Sequence, residues 1–145
     1  MTAYVVLDAS VAIKWYVPEV YREDALALLH RRKADSLAFH VPDLFLSEVG
    51  NILWKKVRRG ALEEGQAEEV RRQLQTVPMT VHSCRVWFRP ALEWSCRNGH
   101  SFYDGLYVAL AAGLRCRLVT ADERLVRAAR RSGLGERVRF VGSGG

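Results

Sequence analysis

Short apolar runs alternate with helical patterns along this chain, and that alternation limits the folds open to it. Ala3–Leu7 reads as a strand, and Ser10 as the cap of a short helix that stops near Pro18. Residues 21–33 carry Ala25, Leu28 and Leu29 at helical spacing, and 37–41 form a second apolar run. Pro42-Asp43 then opens a long helix that ends at Gly60 after a basic last turn. Residues 63–76 read as a strongly charged, half-exposed helix, and 79–82 are ambiguous. Residues 87–97 read as a helix ending at Asn98-Gly99, and 101–114 as an apolar helix. A strand at 117–119, a helix at Glu123–Arg131 and a last strand at 138–141 complete the series. Strands that alternate with helices predict an α/β fold, a central parallel β-sheet with helices on both faces.

The chain has 145 residues, one ordinary domain with room for a real core. No repeat, low-complexity block or linker divides it. No apolar run reaches the roughly 20 residues of a membrane span. The start lacks a basic segment followed by an apolar one, so no signal peptide is expected. Cys84, Cys96 and Cys116 form no CxxC pair and read as reduced thiols of a cytoplasmic protein. His30, His40, His82 and His100 make no HxxxH pair and read as ordinary structural or surface histidines.

The net charge of +6 favours a polyanionic partner, nucleic acid or an acidic protein. Lys55, Lys56, Arg58 and Arg59, then Arg71 and Arg72, then Arg124, Arg127, Arg130 and Arg131 carry much of it. For most of them the reading is a solvated helix face.

Against this basic background, four acids stand out. Asp8 closes the first strand, and in open parallel sheets ligands bind beyond the carboxyl ends of strands. A helix cap or turn aspartate explains it equally well. Glu48 shares a helix face with Leu44 and Ile52, which places it at the rim of the core or buried; Asn51, one turn on, is a candidate hydrogen-bond partner. Asp104 shares a face with Tyr107, Val108 and Ala111 in a segment almost free of charge, with no Lys or Arg within a turn. Burying an ionised carboxylate there is costly without a partner. A first-turn aspartate behind the cap Ser101 is the rival reading, and Phe102 and Tyr103 weigh against it. Asp122 follows the strand that ends at Thr120, repeating the Asp8 arrangement; Thr120-x-x-Glu123 also has capping-box spacing.

Four acids without a matching basic cluster would repel one another and raise their pKa values. A hard divalent cation resolves that conflict, since Mg²⁺ and Mn²⁺ prefer carboxylate and water. Such ions activate water and stabilise phosphoryl oxygens, which suits a basic protein that hydrolyses a polyanion backbone.

VLDASVAIKW, SEVGNIL, FYDGLYVALA and LVTADERL together resemble the four acidic motifs of PIN domains, most closely those of VapC-type toxins. The likeness runs from Tyr4 to about Val141. It implies one PIN-like domain over 1–141, followed by a flexible Gly/Ser tail over 142–145. It implies a Mg²⁺- or Mn²⁺-dependent endoribonuclease, the toxin of a toxin–antitoxin pair, acting in the cytoplasm. Asp8, Glu48, Asp104 and Asp122 match the acidic quartet as catalytic residues and metal ligands, and Ser10 and Thr120 match its small hydroxyl positions. Within that match, Asp8 and Asp104 are taken as ligands, Glu48 as a ligand or the group that positions water, and Asp122 as a ligand through water or to a second ion. One metal and two are both compatible. The implied partners are RNA, a cognate antitoxin and a second copy of the chain, with the apolar part of the helix around Trp54 as a candidate dimer surface.

Other readings meet obstacles. A haloacid-dehalogenase-type phosphatase wants Asp where Ser10 stands. A receiver-like phospho-acceptor domain wants an early acidic pair and a late lysine, both missing. A non-catalytic PIN-like module that binds RNA or protein, or a housekeeping nuclease without an antitoxin, remains the alternative; the intact quartet weighs against the former.

Overall fold

A computed structural model describes residues 2–143. Five strands form one parallel sheet: β1 (Ala3–Leu7), β2 (Leu37–Pro42), β3 (Met79–His82), β4 (Arg117–Thr120) and β5 (Val138–Phe140). The seven helices among the described residues are α1 (Ala9–Ala12), α2 (Arg22–Lys33), α3 (Phe45–Arg58), α4 (Glu64–Leu74), α5 (Cys84–Asn98), α6 (Phe102–Leu114) and α7 (Glu123–Arg131). Short 3-10 turns cover Ile13–Trp15 and Val141–Ser143. Gly142 and Ser143 of the expected tail therefore lie in a turn, and Gly144 and Gly145 fall outside the described residues. No helix of the described residues is long and apolar enough to cross a membrane.

Alternation along β1 sets the two layers. Val5 and Leu7 point into a core with Leu28 and Leu29 of α2, Val49 and Leu53 of α3, and Val70 and Leu74 of α4. Val6 points the other way, toward Trp94 of α5, Tyr107 and Leu110 of α6, and Leu125 and Ala129 of α7. The sheet is thus buried from both sides, which is why its central strands read as continuous apolar runs.

Strand order is β3-β2-β1-β4-β5. The chain builds outward from β1 to β3, then returns to place β4 on the other side of β1. Val5 pairs with Leu37's strand through Phe39, and with Arg117 of β4. The order reverses between β1 and β4, so the connections after these two strands diverge and leave a crevice at their carboxyl ends.

Local corrections follow from side-chain chemistry. The segment at 79–82 is an edge strand, held by pairing to β2. The long helix begins at Phe45, after a turn in which the Asp43 carboxylate accepts from the Cys84 backbone N–H. Asp8, not Ser10, caps α1, accepting from the Ser10 N–H at 3.4 Å. Asp122, not Thr120, caps α7, accepting from the N–H groups of Arg124 and Leu125. Thr120 is fully buried at the end of β4, where its hydroxyl has other work.

Candidate active site

Asp8 leaves the end of β1 directly into α1 and is 9% exposed. Its Oδ2 accepts the Thr120 hydroxyl at 2.6 Å, a bond across the β1–β4 seam. Thr120 Oγ1 accepts in turn from the Asp122 N–H at 3.1 Å. Ser10 completes the frame: its Oγ accepts the Ala121 N–H at 3.1 Å and ties α1 to the loop after β4. Two sequence-distant segments are thereby fixed around one carboxylate.

Glu48 and Asp104 enter from the helices. Glu48 lies in the first turn of α3, and its Oε1 accepts the Tyr107 hydroxyl of α6 at 2.6 Å. Tyr107 is 1% exposed, so this hydroxyl has no water to turn to. Asn51 is exposed and makes no hydrogen bond to Glu48; the expected partner is replaced by Tyr107. Asp104 occupies the first turn of α6, where its N–H donates to the cap Ser101 at 3.1 Å. It is half-buried rather than fully enclosed, and His100 Nδ1 stands 3.4 Å from its Oδ2. His100, read from sequence as ordinary, is therefore the neighbour of an acid that has no Lys or Arg beside it.

The electrostatics tie the four acids together. Burial pushes the Asp8 carboxyl up, bonds from Thr120 and Ser10 oppose this, and the Asp104 charge adds to the rise. Burial pushes Glu48 up to about 7; the Tyr107 bond works against it, and the charges of Asp8 and Asp104 add to it. Burial also raises Asp104, with His100 opposing and the Asp122 charge adding. The Tyr107 phenol is held protonated by burial and by the charges of Asp8 and Glu48, so it serves as a donor.

This donor set suits a hard divalent cation. It offers only oxygen ligands, it repels itself, and no Lys or Arg forms an ion pair with any of its members among the described residues. No three of these side chains are already gathered closely enough to grip an ion among the described residues. The acids are linked in pairs by their charges: Asp8 with Glu48 and Asp104, Glu48 with Asp104, and Asp104 with Asp122.

Two features escaped the sequence. Lys14 is 8% exposed beside Ser10, and its Nζ donates to Glu19 at 3.3 Å; Lys56 donates to the same carboxylate at 2.6 Å. Lys56 is thus no freely solvated helix residue. A cavity of about 660 Å³ opens beside Ser10 and Asp122 and runs to Tyr21 and Phe140. The exposed pairs Arg71–Glu68 and Arg72–Glu69, by contrast, are neutralised within α4 and lie on a solvated face as expected.

The PIN domain family pattern matches residues 5–131. Ribonuclease VapC3 of Pyrobaculum aerophilum is 35% identical over 122 residues, 83% of this chain and 90% of that protein. The crystal structure of PAE2754 from Pyrobaculum aerophilum superposes with a TM-score of 0.70 at 23% identity, covering 97% of this chain and 92% of the other. A chain of VapBC2 from Rickettsia felis, solved bound to a DNA fragment from its promoter, superposes with a TM-score of 0.65 at 11% identity, over 94% and 98% of the two chains.

Proposed function

The chain belongs to the PIN domain family, and from that membership we propose that it is a VapC-type endoribonuclease, the toxin of a toxin–antitoxin pair. The observation that supports the reading is the charge coupling that links Asp8, Glu48, Asp104 and Asp122 in a protein of net charge +6. A ribonuclease relative that shares 35% identity over most of both chains supports the substrate class.

Asp8, Asp104, Glu48 and Asp122 would hold Mg²⁺ or Mn²⁺. When bound, such an ion lowers the pKa of a water and stabilises the charge on phosphoryl oxygens during in-line displacement. The protein's own groups do the remaining work. Thr120 and Ser10 fix the Asp8 carboxylate in one orientation. Tyr107 occupies Glu48 Oε1, so Oε2 is the oxygen that would serve as ligand or hold a water. His100 steadies Asp104 Oδ2. Basic side chains around the acidic floor attract the phosphate backbone and hold it against the carboxylates.

RNA is the proposed substrate and an antitoxin the proposed protein partner; one structural neighbour is VapBC2 bound to a DNA fragment from their promoter, and another is a toxin–antitoxin complex from Klebsiella pneumoniae. Self-association is proposed through α3, where Leu46 and Trp54 stand exposed, with Arg58 stacked over the Trp54 ring at 5.5 Å.

The test is cleavage of labelled RNA by the purified chain with Mg²⁺ or Mn²⁺, with and without EDTA. Cleavage should need the ion, and Asp104→Asn should lower it by orders of magnitude while the protein stays folded. Full activity in Asp104→Asn would overturn the assignment.

A further inference from the structure

We propose that the cavity between α7 and the start of α2 is a nucleotide-binding subsite, which holds one unpaired nucleotide of single-stranded RNA next to the phosphate being cut. The proposal rests on the ribonuclease reading and adds to it where the chain beside the scissile bond goes and what form it must take.

The cavity has the size of a small-molecule site, about 660 Å³. Its lining includes Ser10 and Asp122, members of the candidate active site, so the cavity adjoins the carboxylates. Arg124 and Arg127 line it and form no ion pair among the described residues. Lys14 lines it as well. Glu19 takes one Nζ bond from Lys14 and another from Lys56, so two cations share one carboxylate and the group keeps a net positive charge. Glu123 on the rim is the only carboxylate of the lining outside the proposed quartet. Three cations in one lining match a phosphodiester backbone, not a neutral ligand.

The outer end is aromatic. Tyr21 and Phe140 meet edge to face with ring centroids 4.9 Å apart. The Tyr21 ring is also braced by Gly142, where an added Cβ would fall 2.6 Å from its Cδ1 and Cε1. Held by Phe140 and Gly142, the ring still leaves Tyr21 41% exposed, and Tyr21 and Phe140 both line the cavity. Its backbone is left-handed, φ 66°, at the cap of α2. A bulky residue is strained there, and glycine or asparagine would sit more easily. A braced, exposed ring on a strained backbone, beside a row of cations, is the arrangement that stacks an unpaired base. A paired base has both faces covered and cannot reach it.

The experiment measures affinity by fluorescence anisotropy with a labelled single-stranded oligoribonucleotide of about eight nucleotides, in EDTA so that nothing is cut. The full chain is compared with Tyr21→Ala, Tyr21→Phe and Arg127→Gln, and each is also tested on a duplex of the same sequence. Tyr21→Ala should weaken the single strand about tenfold and leave the duplex unchanged, and Tyr21→Phe should restore the loss. Arg127→Gln, on the exposed face of α7, should weaken binding severalfold and flatten its salt dependence. With Mg²⁺, KM should rise in Tyr21→Ala and Arg127→Gln while kcat holds. Wild-type affinity in both variants overturns the subsite, as does an equal loss on single strand and duplex. Should Tyr21→Ala fail to fold, unchanged binding by Arg127→Gln alone overturns it. The two proposals separate cleanly: binding losses without any cleavage by the wild-type chain sink the nuclease and keep the subsite, whereas cleavage with unchanged KM in both variants does the reverse.

Discussion

The Thr120 hydroxyl donates to Asp8 Oδ2 at 2.6 Å, and both residues are buried at the seam between two neighbouring strands. A buried carboxylate needs such a donor, since leaving it unsatisfied costs about 1–3 kcal/mol. Thr120→Val keeps the shape and removes the donor. It should destabilise the metal-free chain by about that amount in urea unfolding at neutral pH, and Thr120→Ser should recover most of the loss. Equal midpoints for Thr120→Val and wild type would show that the bond contributes nothing.

Glu48 sets a pH dependence. Its carboxyl titrates near 4.5 in an unfolded chain and is raised to about 7 in the folded one by burial, with help from Asp8 and Asp104. Between those values the folded chain binds more protons than the unfolded chain. Stability of the metal-free protein should therefore fall as pH rises from 4.5 to about 7 and level off above it. Glu48→Gln cannot titrate and should lose much of that slope. Urea midpoints at about pH 5 and about pH 8 in EDTA compare the two, and parallel slopes would refute the assignment.

Removal of the Tyr107 hydroxyl should push Glu48 further the same way. Tyr107→Phe loses the bond that holds the Glu48 carboxylate down. The acidic limb of the pH–rate profile should move to higher pH, and kcat should fall at neutral pH more than at alkaline pH. A profile that drops uniformly would mean a packing defect instead.

A divalent ion should relieve the carboxylate repulsion. Mn²⁺ at a hundredfold excess over its dissociation constant should stabilise the wild type by about 2.7 kcal/mol, and Asp8→Asn much less at the same concentration. In the absence of metal, Asp8→Asn should be at least as stable as wild type, since one repelling charge is gone. Thermal melts of both proteins with and without Mn²⁺ decide this; equal metal shifts would show that Asp8 is not a ligand.

Gly105 tests how α6 is held. A Cβ there would meet Ser95 Oγ and lie 2.6 Å from the Ala91 carbonyl oxygen, the backbone of α5. Gly105→Ala gains up to about 1 kcal/mol of helix propensity and should still destabilise, because overpacking costs about 1–3 kcal/mol and a backbone atom cannot rotate away. Cleavage should fall with it, as Asp104 precedes this contact directly.

The sheet's strands and their layers were legible because β1, β2 and β4 are buried on both faces and leave apolar runs. β3 was ambiguous because an edge strand with exposed Thr80 and Val81 carries no such run. The four acids stood out by position, at strand ends and on apolar helix faces. Their partners did not. Tyr107 counted as one more apolar-face residue until its hydroxyl met Glu48 across 59 residues of chain. His100 precedes its helix, so helical spacing gave no reason to pair it with Asp104. Lys14 lies within a short apolar stretch, and only tertiary packing turns it toward Glu19 and the cavity. The close seating of Gly105 against Ser95 and the Ala91 carbonyl of α5 leaves no mark in helical spacing.

The return of β4 to the side of β1 has a consequence for synthesis. Asp8 is made first, yet its neighbour across the seam is Thr120, and Asp122 follows two residues later. A single domain of this size folds as a unit. The Asp8–Thr120 bond and the seat of Asp122 therefore exist only once β4 has been made, so an RNA-cutting chain built in this order lacks its finished carboxylate floor until translation is nearly over.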